Sequence, residues 1–158
     1  MLCDGKNGRP LAVMDSMEIT IIRTGAATAV AARCLARTDS TIATICGCGS
    51  QGRISLRAIA KVRDLKSAFA FDTDQEQAER FAQEMSAELG IKVQAVRSLG
   101  DAVRQSDICV TCTPSKQYFL KREDVLPGTF IAAVGADNEE KQELDPTLLP
   151  ASKLVVDL

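Results

Sequence analysis

Two rhythms of apolar and polar positions run along the chain, and the switches between them mark its elements. "TIATICG", residues 41–47, is a β-branched apolar run closed by glycine. That is the length and composition of a buried parallel strand. "KSAFAFD", "IKVQAV", "DICVTCT", "GTFIAAVGA" and "KLVVDL" have the same character, so six strands are predicted. Between them the period lengthens to that of a helix. Residues 16–37 are alanine-rich, with Ser16 as N-cap and Ile19 and Ile22 on one face. Gly25 within this segment lowers helix propensity by about 1 kcal/mol relative to alanine. Residues 50–62 present Ile54, Leu56, Ile59 and Ala60 as an apolar face. "DQEQAERFAQEMSAELG" has an acidic first turn and Gly90 as its stop. "SLGDAVRQS" reads as a short helix with Ser98 as N-cap and Asp101 at the capping-box position. "DPTLLPAS" is a helical turn. Strands alternating with helices predict an α/β fold: a Rossmann-type, doubly wound, mostly parallel six-stranded sheet with helices on both faces.

Composition narrows the function. The 158 residues carry a formal charge of −2, which gives no general attraction to nucleic acid or to an anionic membrane surface. No apolar run approaches the roughly 20 residues that span a bilayer. The first ten residues hold no apolar stretch of the signal-peptide kind. A cytoplasmic protein with reduced cysteines is therefore expected. Histidine is absent, which excludes Ser-His-Asp and Cys-His catalysis and every His-containing zinc site.

The chemistry concentrates in "ICGCGSQGR", residues 45–53. Gly47, Gly49 and Gly52 form a complete G-x-G-x-x-G between a predicted strand and a predicted helix. In that setting the first glycine permits the tight turn and the second lets a pyrophosphate approach the backbone. The third permits close helix–strand packing. The helix start offers unpaired N–H groups to the phosphates. Asp72 ends the second strand, where a carboxylate accepts hydrogen bonds from ribose hydroxyls and repels a 2′-phosphate. NAD is thereby favoured over NADP. The cysteines allow a second reading, because Cys46-x-Cys48 and Cys109-x-x-Cys112 lie on strands that neighbour one another in the usual order. Cys46 and Cys109 fit better as small apolar fillers, and a zinc ion would occupy the space of the pyrophosphate. No metal site is expected.

These stretches, taken in order, resemble the ornithine cyclodeaminase/mu-crystallin family. Arg-Thr-Gly-Ala at residues 23–26, "GCGSQGR", "DICVTCTPS" and "FIAAVGADNEEKQELDPTLL" carry the resemblance, which runs from about Gly8 to Leu158. It implies that Ser50 and Gln51 belong to the nucleotide loop and that Thr113, Pro114 and Ser115 border the nicotinamide or its ribose. It implies Arg23 as the group that binds the substrate carboxylate, a task suited to a bidentate guanidinium. It implies Asp137 as the catalytic carboxylate that handles the substrate amine. The implied activity is that of an NAD-dependent cyclodeaminase: a hydride leaves the α-carbon of ornithine, the side-chain amine closes the ring, ammonia departs and the hydride returns. Alanine dehydrogenases, ketimine reductases and the non-catalytic, nucleotide-binding mu-crystallins are alternatives within the same family.

Members of the family run to more than twice this length. The resemblance therefore makes residues 1–15 a remnant of the linker to a substrate domain and residues 16–158 the NAD-binding Rossmann domain. The expected partners are a small amino acid and, for the parent protein, a second copy in a homodimer. No nucleic acid and no membrane is expected. A chain without the substrate domain is expected to bind NAD with little or no turnover.

Overall fold

The computed structural model describes residues 1–156. A short antiparallel hairpin, β1 (Leu2–Cys3) with β2 (Pro10–Ala12), precedes the long helix α1 (Ser16–Leu35). There follow β3 (Ile42–Cys46), α2 (Ser50–Ala60), β4 (Ser67–Phe71), α3 (Gln75–Leu89), β5 (Lys92–Ala95), α4 (Leu99–Arg104), β6 (Ile108–Thr111) and β7 (Phe130–Ala133). Strands β3 to β7 form one sheet in the order β5-β4-β3-β6-β7, and every pairing is parallel. The order reverses between β3 and β6. All five carboxyl ends therefore share one edge, with a switch point between β3 and β6, the place where doubly wound sheets receive ligands.

Period-two alternation sorts the strand residues between two layers. Ala43 and Ile45 of β3, and Ile108 and Val110 of β6, face a core built with Ala32, Leu56, Ile59, Phe81 and Met85 from α1, α2 and α3. Cys46 and Cys109 face the other layer, against Leu99 and Val103 of α4 and Leu120 and Leu148. Helix α3 buries Ala78, Phe81, Ala82 and Met85 at helical spacing. Asp74 caps it, and Gly90 ends it in the left-handed region.

Helix α1 packs on α2 through small residues. Gly25, Thr28, Ala29 and Ala32 are its buried positions, and a Cβ on Gly25 would stand 2.6 Å from Ile54 Cγ1. The glycine that weakens the helix locally is what lets the two helices approach. Arg63 closes the far end of α1, donating from Nη2 to the carbonyls of Ala32, Arg33 and Ala36 at 2.9 Å each. At the amino edge of the sheet Asp107 accepts the Thr41 and Ile42 N–H groups at 2.8 and 3.1 Å and pairs with Arg37.

Three sequence expectations need correction. The sheet has five strands and not six: residues 153–156 are exposed and pair with nothing, and the rest of "KLVVDL", residues 157–158, lies outside the described residues. A strand exists only where an edge accepts it, and these four residues meet none. The cap of α1 is Asp15, whose carboxylate accepts the Met17 N–H at 2.9 Å, and Ser16 is already helical. The β1–β2 hairpin was not anticipated, since strands of two and three residues carry no periodicity. Ser98 caps α4 as expected, accepting the Asp101 N–H. Among the described residues no helix is long and apolar enough to cross a membrane.

Candidate functional site

The carboxyl edge gathers the glycine turn and the ends of β4 and β6. Beyond β3 the chain turns at Gly47 with φ +100°, a conformation strained for any side chain. A Cβ there would stand 2.7 Å from the Cys112 carbonyl oxygen. The Gly47 N–H donates to the Phe71 carbonyl at 3.0 Å and the Cys112 N–H donates to the Cys46 carbonyl at 2.9 Å, so the turn is stitched to both neighbouring strands. Gly52, in the first turn of α2, lies so close that a Cβ would overlap the Gly47 carbonyl oxygen. Gly49 is the reverse case: nothing lies within 4 Å of where its Cβ would be. The space over the middle glycine is open.

The start of α2 differs from every other α-helix start among the described residues. Helix α1 has the Asp15 cap and Glu18 in its first turn, α3 has Asp74 and Glu76, and α4 has Ser98 and Asp101. Helix α2 follows Gly49, which supplies no capping side chain, and its first turn carries no acid. The orphan amides and the positive end of the helix dipole are thus left for an external anion. Nearby, Gln51 Nε2 is buried with no acceptor. A buried donor without a partner calls for one. Ser50 is exposed and borders a cleft of about 360 Å³ between α1 and α2, shared with Glu18, Ile22, Arg53 and Arg57.

Asp72 follows β4 and leans into the turn. Its Oδ2 accepts the Cys48 N–H at 2.8 Å and the Gln77 side-chain amide at 3.2 Å, while Oδ1 accepts the Asp74 N–H at 3.0 Å. The carboxylate thus stands beside the central residue of the G-x-G. The cysteines are divided by the sheet: Cys48 packs with the α1–α3 layer and Cys46 with the α4 layer. Burial pushes the Cys48 thiol up to about 12, with the Asp72 charge adding to the rise and Arg53 opposing it. Burial likewise raises Cys46, Cys109 and Cys112. Among the described residues no three His, Cys, Asp or Glu side chains converge as a metal site would require.

A second polar cluster occupies the ends of β6 and β7. Its centre is Glu143, a residue to which sequence reasoning gave no role, and it is 1% exposed. Its Oε1 accepts the Thr113 N–H and the Thr113 hydroxyl at 2.6 and 2.8 Å. Its Oε2 accepts the Thr111 hydroxyl and the Gly135 N–H at 2.8 and 3.0 Å. Thr113 is therefore held in place, and its hydroxyl oxygen accepts the Ser115 N–H at 3.3 Å. Ser115 in turn donates to the Gln117 carbonyl, and Pro114 is exposed. Asp137 lies just past β7 with an exposed side chain, accepting from Lys141 Nζ at 2.8 Å. The Lys141 ammonium holds the Asp137 carboxyl below its ordinary range. Arg23 is exposed on α1, and among the described residues it forms no ion pair, with Asp137 or any other acid. Gly47, Gly49, Gly52, Asp72 and Thr113 thus share one edge. Among the described residues no hydrogen bond or ion pair joins Arg23 or Asp137 to them.

Comparison with known proteins follows the same lines. Residues 1–158 match the ornithine cyclodeaminase/mu-crystallin family. An alanine dehydrogenase of Archaeoglobus fulgidus is 41% identical over 152 residues, covering 96% of this chain and 46% of that protein. An archaeal alanine dehydrogenase dimer solved with bound NAD superposes with a TM-score of 0.92 at 39% identity, covering 98% of this chain and 48% of that one. The Δ(1)-pyrroline-2-carboxylate reductase of Thermococcus litoralis, solved with NADH and L-proline, gives 0.87 at 41% identity, covering 90% and 44%. The chain spans about half the length of the relatives it matches.

Proposed function

The chain belongs to the ornithine cyclodeaminase/mu-crystallin family, and from that premise we propose that it is the NAD-binding part of an enzyme interconverting an α-amino acid and its imine. The observation that carries the proposal is the start of α2: open above Gly49, without cap or acid, and flanked by the Asp72 carboxylate. The residues fit the cofactor. Gly47, Gly49, Ser50, Gln51 and Gly52 would cradle the pyrophosphate. Asp72 would accept from the adenosine ribose and repel a 2′-phosphate, and Thr113, Pro114 and Ser115 would border the nicotinamide side. NAD supplies a hydride acceptor. Residues 1–15 are read as a linker to a substrate domain and 16–158 as the nucleotide domain.

On the substrate side we assign Arg23 to the carboxylate and Asp137 to the amine. Lys141 favours the ionised form of Asp137, whose carboxylate would take the proton the substrate nitrogen releases as the α-carbon gives up its hydride and the C=N bond forms. Alanine oxidation or imine reduction is the favoured activity, supported by the 41% identity to proteins with those names. Ornithine cyclisation is the second reading, supported by the family match, and it opens with the same hydride step. A homodimer is inferred for the whole protein, as in the archaeal relative.

Calorimetric titration of the folded chain with NAD and NADP tests the reading. NAD should bind, NADP should bind at least about tenfold more weakly, and Asp72→Ala should narrow that gap while weakening NAD. A folded chain that binds neither nucleotide would sink the proposal. Assays of the whole protein with alanine, ornithine and Δ(1)-pyrroline-2-carboxylate would choose the substrate.

A further inference from the structure

Glu143 is a buried charge for which packing alone gives no reason. Each of its oxygens accepts one backbone N–H and one threonine hydroxyl. The two amides only donate, one to each oxygen, and a neutral carboxyl would have to turn its own O–H toward a threonine hydroxyl and reverse that bond. The donor set fits the ionised form. Among the described residues no lysine or arginine pairs with it. The lysines of the same and the facing loop pair elsewhere, Lys141 with Asp137 and Lys116 with Glu140. An unpaired buried carboxylate carries a desolvation penalty that an apolar residue would not. What it provides is a fixed negative potential.

The position of that potential follows from the topology. Asp72 lies beyond β4, on one side of the switch point, and Glu143 binds the ends of β6 and β7 on the other. A dinucleotide in a doubly wound sheet lies across the switch point with one half over each set of strands. With the adenosine ribose at Asp72, the nicotinamide half falls over β6 and β7, beside the Thr113 and Gly135 amides that Glu143 holds. The oxidised nicotinamide ring is a cation and the reduced ring is neutral.

We propose that Glu143 is an electrostatic positioning residue that makes the site prefer the oxidised to the reduced nicotinamide. The inference rests on the NAD-binding reading above. At an effective dielectric of about 20, a unit charge close to the ring changes a binding ratio by roughly tenfold or more. The bias favours the form of the cofactor that accepts a hydride, and with it the amino-acid-oxidising direction.

The test is the ratio of dissociation constants for NAD⁺ and NADH, measured by titration of the wild-type chain, Glu143→Gln and Glu143→Asp, each checked for folding by circular dichroism. Glu143→Gln should weaken NAD⁺ by roughly tenfold more than NADH, and Glu143→Asp, which keeps the charge, should hold the ratio within about twofold of wild type. A merely structural role would weaken both forms alike, and that result overturns the proposal while leaving the NAD reading intact. If Glu143→Gln does not fold, the wild-type chain decides: NAD⁺ bound more tightly than NADH supports the proposal, and equal or weaker binding overturns it. A folded wild-type chain that binds neither form overturns the NAD reading itself.

Discussion

Alanine placed at two of the three turn glycines should have opposite consequences. In Gly52→Ala the new methyl overlaps the Gly47 carbonyl oxygen and comes within 3.0 Å of Ile45 Cγ2. Gly47 cannot yield, because its φ of +100° and its bond to the Phe71 carbonyl fix it. The start of α2 has to move instead. Overpacking at such a point costs about 1–3 kcal/mol, against about 1 kcal/mol gained from alanine's helix propensity. The clash is with a fixed backbone oxygen, which puts the cost at the top of that range, and a net loss of about 2 kcal/mol lowers the melting temperature by roughly 4–8 °C at this chain length. In Gly49→Ala the backbone is extended, φ −83° and ψ −163°, and the methyl meets no atom. Stability should change by less than about 0.5 kcal/mol. That methyl, however, occupies the open space through which a pyrophosphate reaches the α2 amides, so NAD affinity should fall at least about tenfold. Urea unfolding followed by circular dichroism and calorimetric NAD titration measure the two effects. A Gly49→Ala chain that loses stability and keeps NAD, or a Gly52→Ala chain as stable as wild type, refutes the reasoning.

Two further outcomes are expected. Of the six cysteines only the exposed Cys3 and Cys34 should react quickly with a thiol reagent at pH 8, and the other four, raised by burial, only in denaturant; fast reaction of three or more in the folded chain would contradict the assigned burial. Burial pushes the Asp107 carboxyl up, but the Thr41 and Ile42 amides and Arg37 outweigh it and leave it below its ordinary value. Its contribution is therefore complete above about pH 4 and is lost as the pH falls through the lower folded value. Asp107→Asn should cost about 1–2 kcal/mol at pH 7 and flatten the acid limb of a urea-midpoint curve measured from pH 7 to 2.5, and an unchanged acid limb would count against it.

The parts of the fold legible from sequence are those whose cause is local. "TIATICG" is β-branched and apolar because β3 is covered on both faces, so the run itself announces the strand. Gly52 is needed by contacts with Gly47 and Ile45 and Gly47 by its own left-handed φ, causes that lie within eight residues and survive as a string, although the Cys112 carbonyl that also crowds Gly47 comes from β6's end far along the chain. Asp72 was reachable because the fingerprint predicts an acid at that distance. Glu143 was not. "DNEEKQELD" reads as a solvated acidic loop, and only partners about 30 residues back, Thr111 and Thr113, bury this one of its acids. "KLVVDL" failed in the opposite sense: its composition suits a strand, but pairing is a property of the neighbour and not of the run. Arg23 and Asp137 are reached through resemblance alone, and among the described residues no hydrogen bond or ion pair joins them.

Along the carboxyl edge the charges follow a sequence of their own. Asp72 is negative and sits beside β4, the uncapped start of α2 is positive, and Glu143 is negative beneath the ends of β6 and β7. On the reading proposed above, the ligand presents hydroxyl donors, then an anionic pyrophosphate, then a cationic ring, in the same order. The correspondence uses three independent devices, a strand-end acid, a bare helix terminus and a buried carboxylate. Asp72 is hydrogen-bonded to the Cys48 N–H of the turn, whereas Glu143 shares no hydrogen-bond partner with either of the other two. Substitutions at Asp72 and Glu143 are therefore separable: the first acts on the adenosine end and on the choice between NAD and NADP, the second on the nicotinamide end and on the choice between oxidised and reduced. The glycine turn between them would carry neither choice on that reading, because the Gly47 and Cys48 N–H groups are taken by the Phe71 carbonyl and Asp72 and the amides left at the start of α2 would face phosphate.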